Sequence, residues 1–104
     1  MPLSIEVIRK FVNEKKIKWR AHMLQRMRER NITRENVLEC ILKGEIIEQY
    51  ENDYPYPSCL ISWIPKNGSP LHVVCAVGDG FLWLITAYLP SEDEWMNDFK
   101  TRRK

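Results

Sequence analysis

The chain has 104 residues, 44% of them hydrophobic and 29% charged, with a net charge of +2. That length argues for a single domain over 1–104, and the composition for a packed core rather than a disordered or fibrous chain. A balance so close to neutral excludes strong bulk attraction to nucleic acid or to a membrane, so any such preference has to come from where the charges sit.

Ser4 is placed to cap a first helix in which Ile5, Ile8, Phe11 and Val12 recur at helical spacing. "EKKIKWR" breaks that spacing and is expected to be a connector. A second helix is predicted from about Arg20 to Arg30, with Ala21, Met23, Leu24 and Met27 on its apolar side. Thr33 caps a third, whose buried side is Val37, Leu38, Cys40, Ile41 and Leu42. Gly44 follows, where a left-handed closing residue is wanted. The period then changes. "EIIEQY", "SCLISWI", "LHVVCAV" and "FLWLITAY" read as strands, separated by "ENDYPYP", Asn67-Gly68 and Gly78-Asp79-Gly80. Turns this short make consecutive strands antiparallel. "SEDEWMNDF" reads as a short closing helix capped by Ser91, with acids in its first turn. The expected fold is α+β: N-terminal helices, a meander of roughly four antiparallel strands, and a short C-terminal helix.

Cys40, Cys59 and Cys75 are odd in number, contain no CxxC pair and sit among apolar neighbours, so they read as small buried hydrophobes. No zinc site, other metal or cofactor is expected. The absence of a signal-peptide pattern and of an apolar run near 18 residues leads to the expectation of a reducing cytoplasm and no membrane partner. Tyr54, Tyr56 and Trp95 read as exposed aromatics that permit a homodimer. Basic residues crowd between Lys15 and Arg34 and again at "KTRRK". Such a region attracts phosphate, although a solvated helix face gives the same pattern.

His22, Arg26 and Arg30 are four apart, and span a stripe of roughly 80° on the second helix. In the third strand of the meander, alternation puts Pro70, His72, Val74 and Ala76 on one face and Leu71, Val73, Cys75 and Val77 on the other. In the last strand, the same alternation groups Leu82, Leu84, Thr86 and Tyr88. The set lacks a carboxylate pair, a Gly-rich phosphate loop and a nucleophile elbow, which argues against glycosidase, nucleotide-hydrolysing and α/β-hydrolase chemistry. It fits metal-independent RNA cleavage, in which the substrate's own 2′-hydroxyl attacks the phosphate. Histidine suits the two proton transfers and arginine the crowded phosphate. His22 and His72 would share the acid and base roles, Arg26 and Arg30 would hold the phosphate, and Tyr88 would orient or stack on a nucleotide. Arg28, Thr86 and Tyr50 are further binding candidates. Each residue also has an ordinary explanation: a helix-face histidine, exposed ion pairs of Arg26 or Arg30 with Glu29 or Glu35, a half-buried strand histidine.

"HMLQRMRERNITRENVLECILKGEIIEQY", "YPYPSCLI", "PLHVVCAV" and "ITAYLPSEDEW" together resemble a family of small bacterial proteins of unknown function. Its pattern is a histidine, R-x-x-x-R, a glycine closing a helix, a strand with histidine, and I-T-x-Y. That family is similar to the RelE-like and barnase–colicin-like ribonuclease toxins. The resemblance implies a RelE- or barnase-like α+β domain, an endoribonuclease activity without metal, RNA as partner and a cognate antitoxin protein. By position it carries His22, Arg26 and Arg30 onto the helical motif, His72 onto the strand histidine, and Thr86 and Tyr88 onto the final strand. Two other classes fit the same residues. One is a non-catalytic module binding nucleic acid or protein, with "YENDYPYPS" as a contact loop. The other is an enzyme acting on a phosphorylated small molecule.

Overall fold

The computed structural model describes residues 2–66 and 68–103. Among these residues three helices, α1 (Ile5–Asn13), α2 (Ala21–Glu29) and α3 (Arg34–Lys43), pack on one face of a five-stranded sheet. Its strands are β1 (Ile17–Trp19), β2 (Glu45–Tyr50), β3 (Ser58–Trp63), β4 (Leu71–Gly78) and β5 (Phe81–Tyr88), in the order β1-β5-β4-β3-β2. The α+β class is as expected, but the sheet is mixed. The supposed connector contains β1, which pairs parallel with β5 through Ile17–Leu82 and Trp19–Leu84. Three residues are too few for an alternation to stand out, and parallel pairing across the first helix has no local turn to announce it.

Side chains and left-handed residues end the helices as the physics requires. Ser4 Oγ accepts from Val7 N, and Thr33 with Asn36 closes a reciprocal capping box. Lys15 (φ 60°) and Asn31 (φ 57°) close α1 and α2 in the left-handed region. At the second of these, Ile32 N donates to Met27 O (2.8 Å) and Asn31 N to Arg28 O (3.3 Å), the paired bonds that stop a helix sharply. Gly44 is not left-handed, contrary to expectation: its φ of −87° and ψ of −165° are extended. A glycine is needed there because a Cβ would lie 2.4 Å from Ser62 O and 2.6 Å from Cys40 O. Asp79 and Gly80, both at positive φ, make the two-residue turn between β4 and β5. In the Asn67-Gly68 turn, Asn67 lies outside the described residues; the strands it joins pair antiparallel, as expected.

The core lies between helices and sheet, where Ile8, Met23, Met27, Val37 and Ile41 meet Ile61, Val73, Leu82 and Leu84. Each such side chain contributes about 1.5–3 kcal/mol by leaving water. Cys40, Cys59 and Cys75 are free and buried in the same layer, and burial pushes the Cys40 thiol up to about 12. Among the described residues no helix is long and apolar enough to cross a membrane.

The segment after β5 is not a helix. Glu94 N and Trp95 N both return to Ser91 O, then the chain reverses, with Met96 N donating to Thr101 O and Arg103 N to Glu94 O. Asp98 holds the reversal by accepting from Lys100 N and Thr101 N, and Phe99 is left-handed at φ 54°. Trp95, expected to be exposed, is 1% exposed, because this reversed segment lies across the sheet face away from the helices.

Candidate functional site

A bulge decides what the outer sheet face presents. Thr86 pairs with Val74 and Leu84 with Cys75, leaving Ile85 as an extra residue in β5. Side chains beyond it change sides. Leu82, Leu84 and Ala87 therefore face the helices, while Trp83, Thr86 and Tyr88 face outward beside Ala76, Val74 and His72. The simple alternation that grouped Leu82, Leu84, Thr86 and Tyr88 fails at this one residue. The two faces expected for β4 hold.

His72 lies on the outer face and is fully buried. Its Nε2 is 2.7 Å from Phe99 O and its Nδ1 is 3.2 Å from Tyr88 Oη. A carbonyl only accepts, so Nε2 carries the proton and the neutral ring accepts the Tyr88 hydroxyl proton at Nδ1. Trp95 stands edge-on to the imidazole at 4.6 Å between ring centres. Burial lowers the His72 pKa below its ordinary value, against the Phe99 carbonyl and the Glu48 charge, which favour the cation. Burial likewise raises the Tyr88 phenol. Behind His72, Arg102 donates to Glu48 through Nε (2.8 Å) and Nη2 (3.2 Å), and Tyr50 Oη donates to the same carboxylate. Burial alone would raise the Glu48 pKa; these bonds overcome it and hold the carboxyl below its ordinary value. Burial and the bond to Glu48 push the Tyr50 phenol up to about 12.

Arg30, the residue that ends α2, reaches the edge of β5 beyond the point where β1 stops. Its Nη1 donates to Ala87 O (2.8 Å) and lies 3.4 Å from Thr86 Oγ1. One guanidinium nitrogen is thus anchored to the sheet. Arg30, Tyr88, Leu89 and Glu94 line an open cleft of about 440 Å³. Arg26, one turn earlier, pairs with Glu29 at 3.3 Å on a half-exposed surface, a pair worth at most about 0.5 kcal/mol.

The fold therefore gathers these candidates into two hydrogen-bonded pairs, Arg30 with Thr86 and Tyr88 with His72, with Arg30 and Tyr88 lining one cleft. His22 is exposed on the first turn of α2, roughly 12 Å from Arg30 along the helix axis. His72 is sealed under Trp95 and Phe99, and the two imidazoles share no contact. Arg28 points to another side of α2, beside Leu24, Met27 and Arg34. Tyr50 belongs to the Glu48–Arg102 cluster, not to the cleft. Sequence reasoning missed Glu94, which enters the cleft only because the closing segment turns instead of forming a helix. It also passed over Trp83. Simple alternation turns it outward, but its neighbour Lys18 of β1 follows from the parallel pairing that local patterns do not reveal.

No curated protein and no solved structure matches the chain. A family match covers residues 19–89, which takes in every candidate from His22 to Tyr88 and ends before the closing segment that covers His72. The chain belongs to the family described as a domain of unknown function, DUF4258.

Proposed function

We propose that the protein is a metal-independent endoribonuclease, like the RelE and barnase–colicin toxins in using the substrate's 2′-hydroxyl as nucleophile. The observation that carries the reading is the pair of hydrogen bonds made by His72, to Phe99 O at Nε2 and to Tyr88 Oη at Nδ1. With Nε2–H committed to Phe99 O, Nδ1 draws the Tyr88 hydroxyl proton inward, leaving the phenol oxygen's lone pairs for the cleft. Arg30, held at one nitrogen by Ala87 O, offers its remaining N–H groups to a phosphate beside that oxygen.

In this mechanism the 2′-hydroxyl gives its proton to Tyr88 Oη as Tyr88 passes its own to His72 Nδ1. The 2′-oxygen bonds to phosphorus, the bond to the 5′-oxygen breaks, and a 2′,3′-cyclic phosphate remains. The departing 5′-oxygen takes its proton from solvent water in the open cleft, because His22 stands about 12 Å along α2 from Arg30 and does not reach the same phosphate. His72 acts through Tyr88, as a positioning and proton-accepting group. Arg30 stabilises the added charge on the phosphate, and Arg26 supplements it.

The test is incubation of purified protein with single-stranded RNA in chelator, comparing wild type with Tyr88→Phe, Arg30→Ala and His22→Ala. New ends carrying cyclic phosphate, lost in the first two variants and kept in His22→Ala, are the expected result. Wild type that generates no such ends overturns the reading. The sealing of His72 favours a second reading, a module that binds nucleic acid or protein through the same cleft without turnover. Salt-dependent RNA binding with no new ends would select it.

A further inference from the structure

The closing segment covers the outer face over β2, β3 and the start of β4, but leaves a half-exposed strip along β5. At one end of the strip is Tyr88. At the other, about 15 Å along the strand, Trp83 stacks on Tyr56 (5.9 Å between ring centres, 27° between planes) and meets the edge of Phe81 (6.3 Å). Lys18 Nζ lies 4.3 Å from the Phe81 ring centre, and the Arg20 guanidinium 5.9 Å from that of Trp83. Among the described residues no carboxylate stands within ion-pair distance of Lys18 or Arg20, whereas Lys16 of the same stretch is paired with Glu14. Trp83 Nε1–H is satisfied by Gly78 O at 2.9 Å, so the indole turns its apolar ring, not its polar edge, to the strip.

Three rings clustered on an open sheet face, with two unpaired cations over them, suit one class of ligand. Unpaired bases stack on aromatic faces whatever their identity, and the phosphates between them bind Lys and Arg. A duplex keeps its bases stacked on each other and cannot use the rings. We infer that Trp83, Tyr56, Lys18 and Arg20 form a second nucleotide subsite, and that the substrate is therefore a single strand lying along β5. A base replaces the Arg20 guanidinium on the indole, and that guanidinium moves to the adjoining phosphate. This inference rests on the reading of the cleft as an RNA site.

The experiment separates the two. Fluorescence anisotropy with an all-deoxy single-stranded oligonucleotide measures binding where no 2′-hydroxyl exists to be cut. Wild type is expected to bind this strand more tightly than a deoxydinucleotide or a fully paired hairpin. Trp83→Ala should lose roughly 5- to 150-fold, the range for one stacked base. Because that variant removes packing against Tyr56, Lys18→Ala with Arg20→Ala is the companion, its folding checked by thermal melting. It should flatten the slope of log affinity against log salt by about 1.4, two phosphate contacts on a single strand. Binding and slope unchanged in both variants, equal competition by the hairpin, or equal displacement by polyglutamate would overturn the subsite. Ring-dependent strand binding by a protein that cuts no RNA would uphold the subsite and end the nuclease reading. RNA cutting with ring-independent binding would do the reverse.

Discussion

The two halves of the outer sheet face begin alike and finish differently. Over β2, β3 and the first residues of β4 the polar side chains find partners within the protein: buried Ser62 Oγ donates to Phe99 O (3.2 Å), buried His72 is bonded at both nitrogens, Glu48 pairs with Arg102, and at the exposed rim Glu45 pairs with Lys100. Along β5 the face is open, aromatic and cationic, with Arg30 tied down at one nitrogen. A covered polar group has to be satisfied from inside because desolvation costs more than a hydrogen bond returns. An open one can keep valences for a ligand. The difference teaches where to look for binding, since the histidine that drew attention in the sequence sits on the closed side of the boundary and touches the open side through its hydrogen bond with Tyr88.

Removing the cover is the largest perturbation. Trp95→Ala takes away a fully buried indole over His72 and should cost about 3–5 kcal/mol in denaturant unfolding. A loss under 1 kcal/mol would mean that the closing segment does not seal the face. Next comes the boundary itself. Tyr88→Phe keeps the ring and removes the oxygen between His72 and the cleft; RNA cleavage should fall about 10²-fold or more, the usual contribution of one positioned proton-transfer group. Unchanged rates would place the chemistry elsewhere.

Arg102→Ala removes a two-pronged pair with Glu48 and a cation 4.5 Å from the Trp95 ring centre. The guanidinium is about half exposed and screened by solvent, so the expected cost is only about 1 kcal/mol, shrinking in high salt. On the open side, Glu94→Gln takes a negative charge out of the cleft; strand affinity should rise by an amount near 0.5 kcal/mol, or about twofold. A fall in affinity would show that Glu94 contacts the ligand.

Titration sharpens the same boundary. The folded His72 pKa lies below its ordinary value of 6.5 because burial disfavours the cation. Under that shift the unfolded chain binds the proton first as pH falls, so this group's contribution to stability is present above pH 6.5 and is lost below it, down through the lowered folded pKa. Melting temperature should decline on acidification from pH 7 through this window, and the His72 ring resonance should titrate below that of a free imidazole. A melting temperature that rises on acidification would contradict a sealed, neutral ring.

Much of this was legible in advance. Helix caps at Ser4 and Thr33, the α2 limits, four of the strands and the burial of all three cysteines follow from signals confined to a few neighbouring residues. His72, Thr86 and Tyr88 were also visible as polar residues in apolar strands and Arg30 as part of a basic helical stripe, and the fold pairs Arg30 with Thr86 and Tyr88 with His72. Three features were not visible. The Ile85 bulge reverses the facing of Thr86 and Tyr88 with no special residue to mark it. The parallel β1 is three residues long. The closing segment has a helix-like start, yet its Trp95 gains more from covering His72 than a short exposed helix could return.

The sequence by itself determined the elements and their caps, because periodicity, side-chain capping and left-handed turn residues act over one or two turns of chain. Only the tertiary structure decided which polar groups are sealed and which are open. That depends on register across strands and on a segment returning from the far end of the chain, and the free energy of such contacts is set by what is excluded from water, not by what is adjacent in sequence.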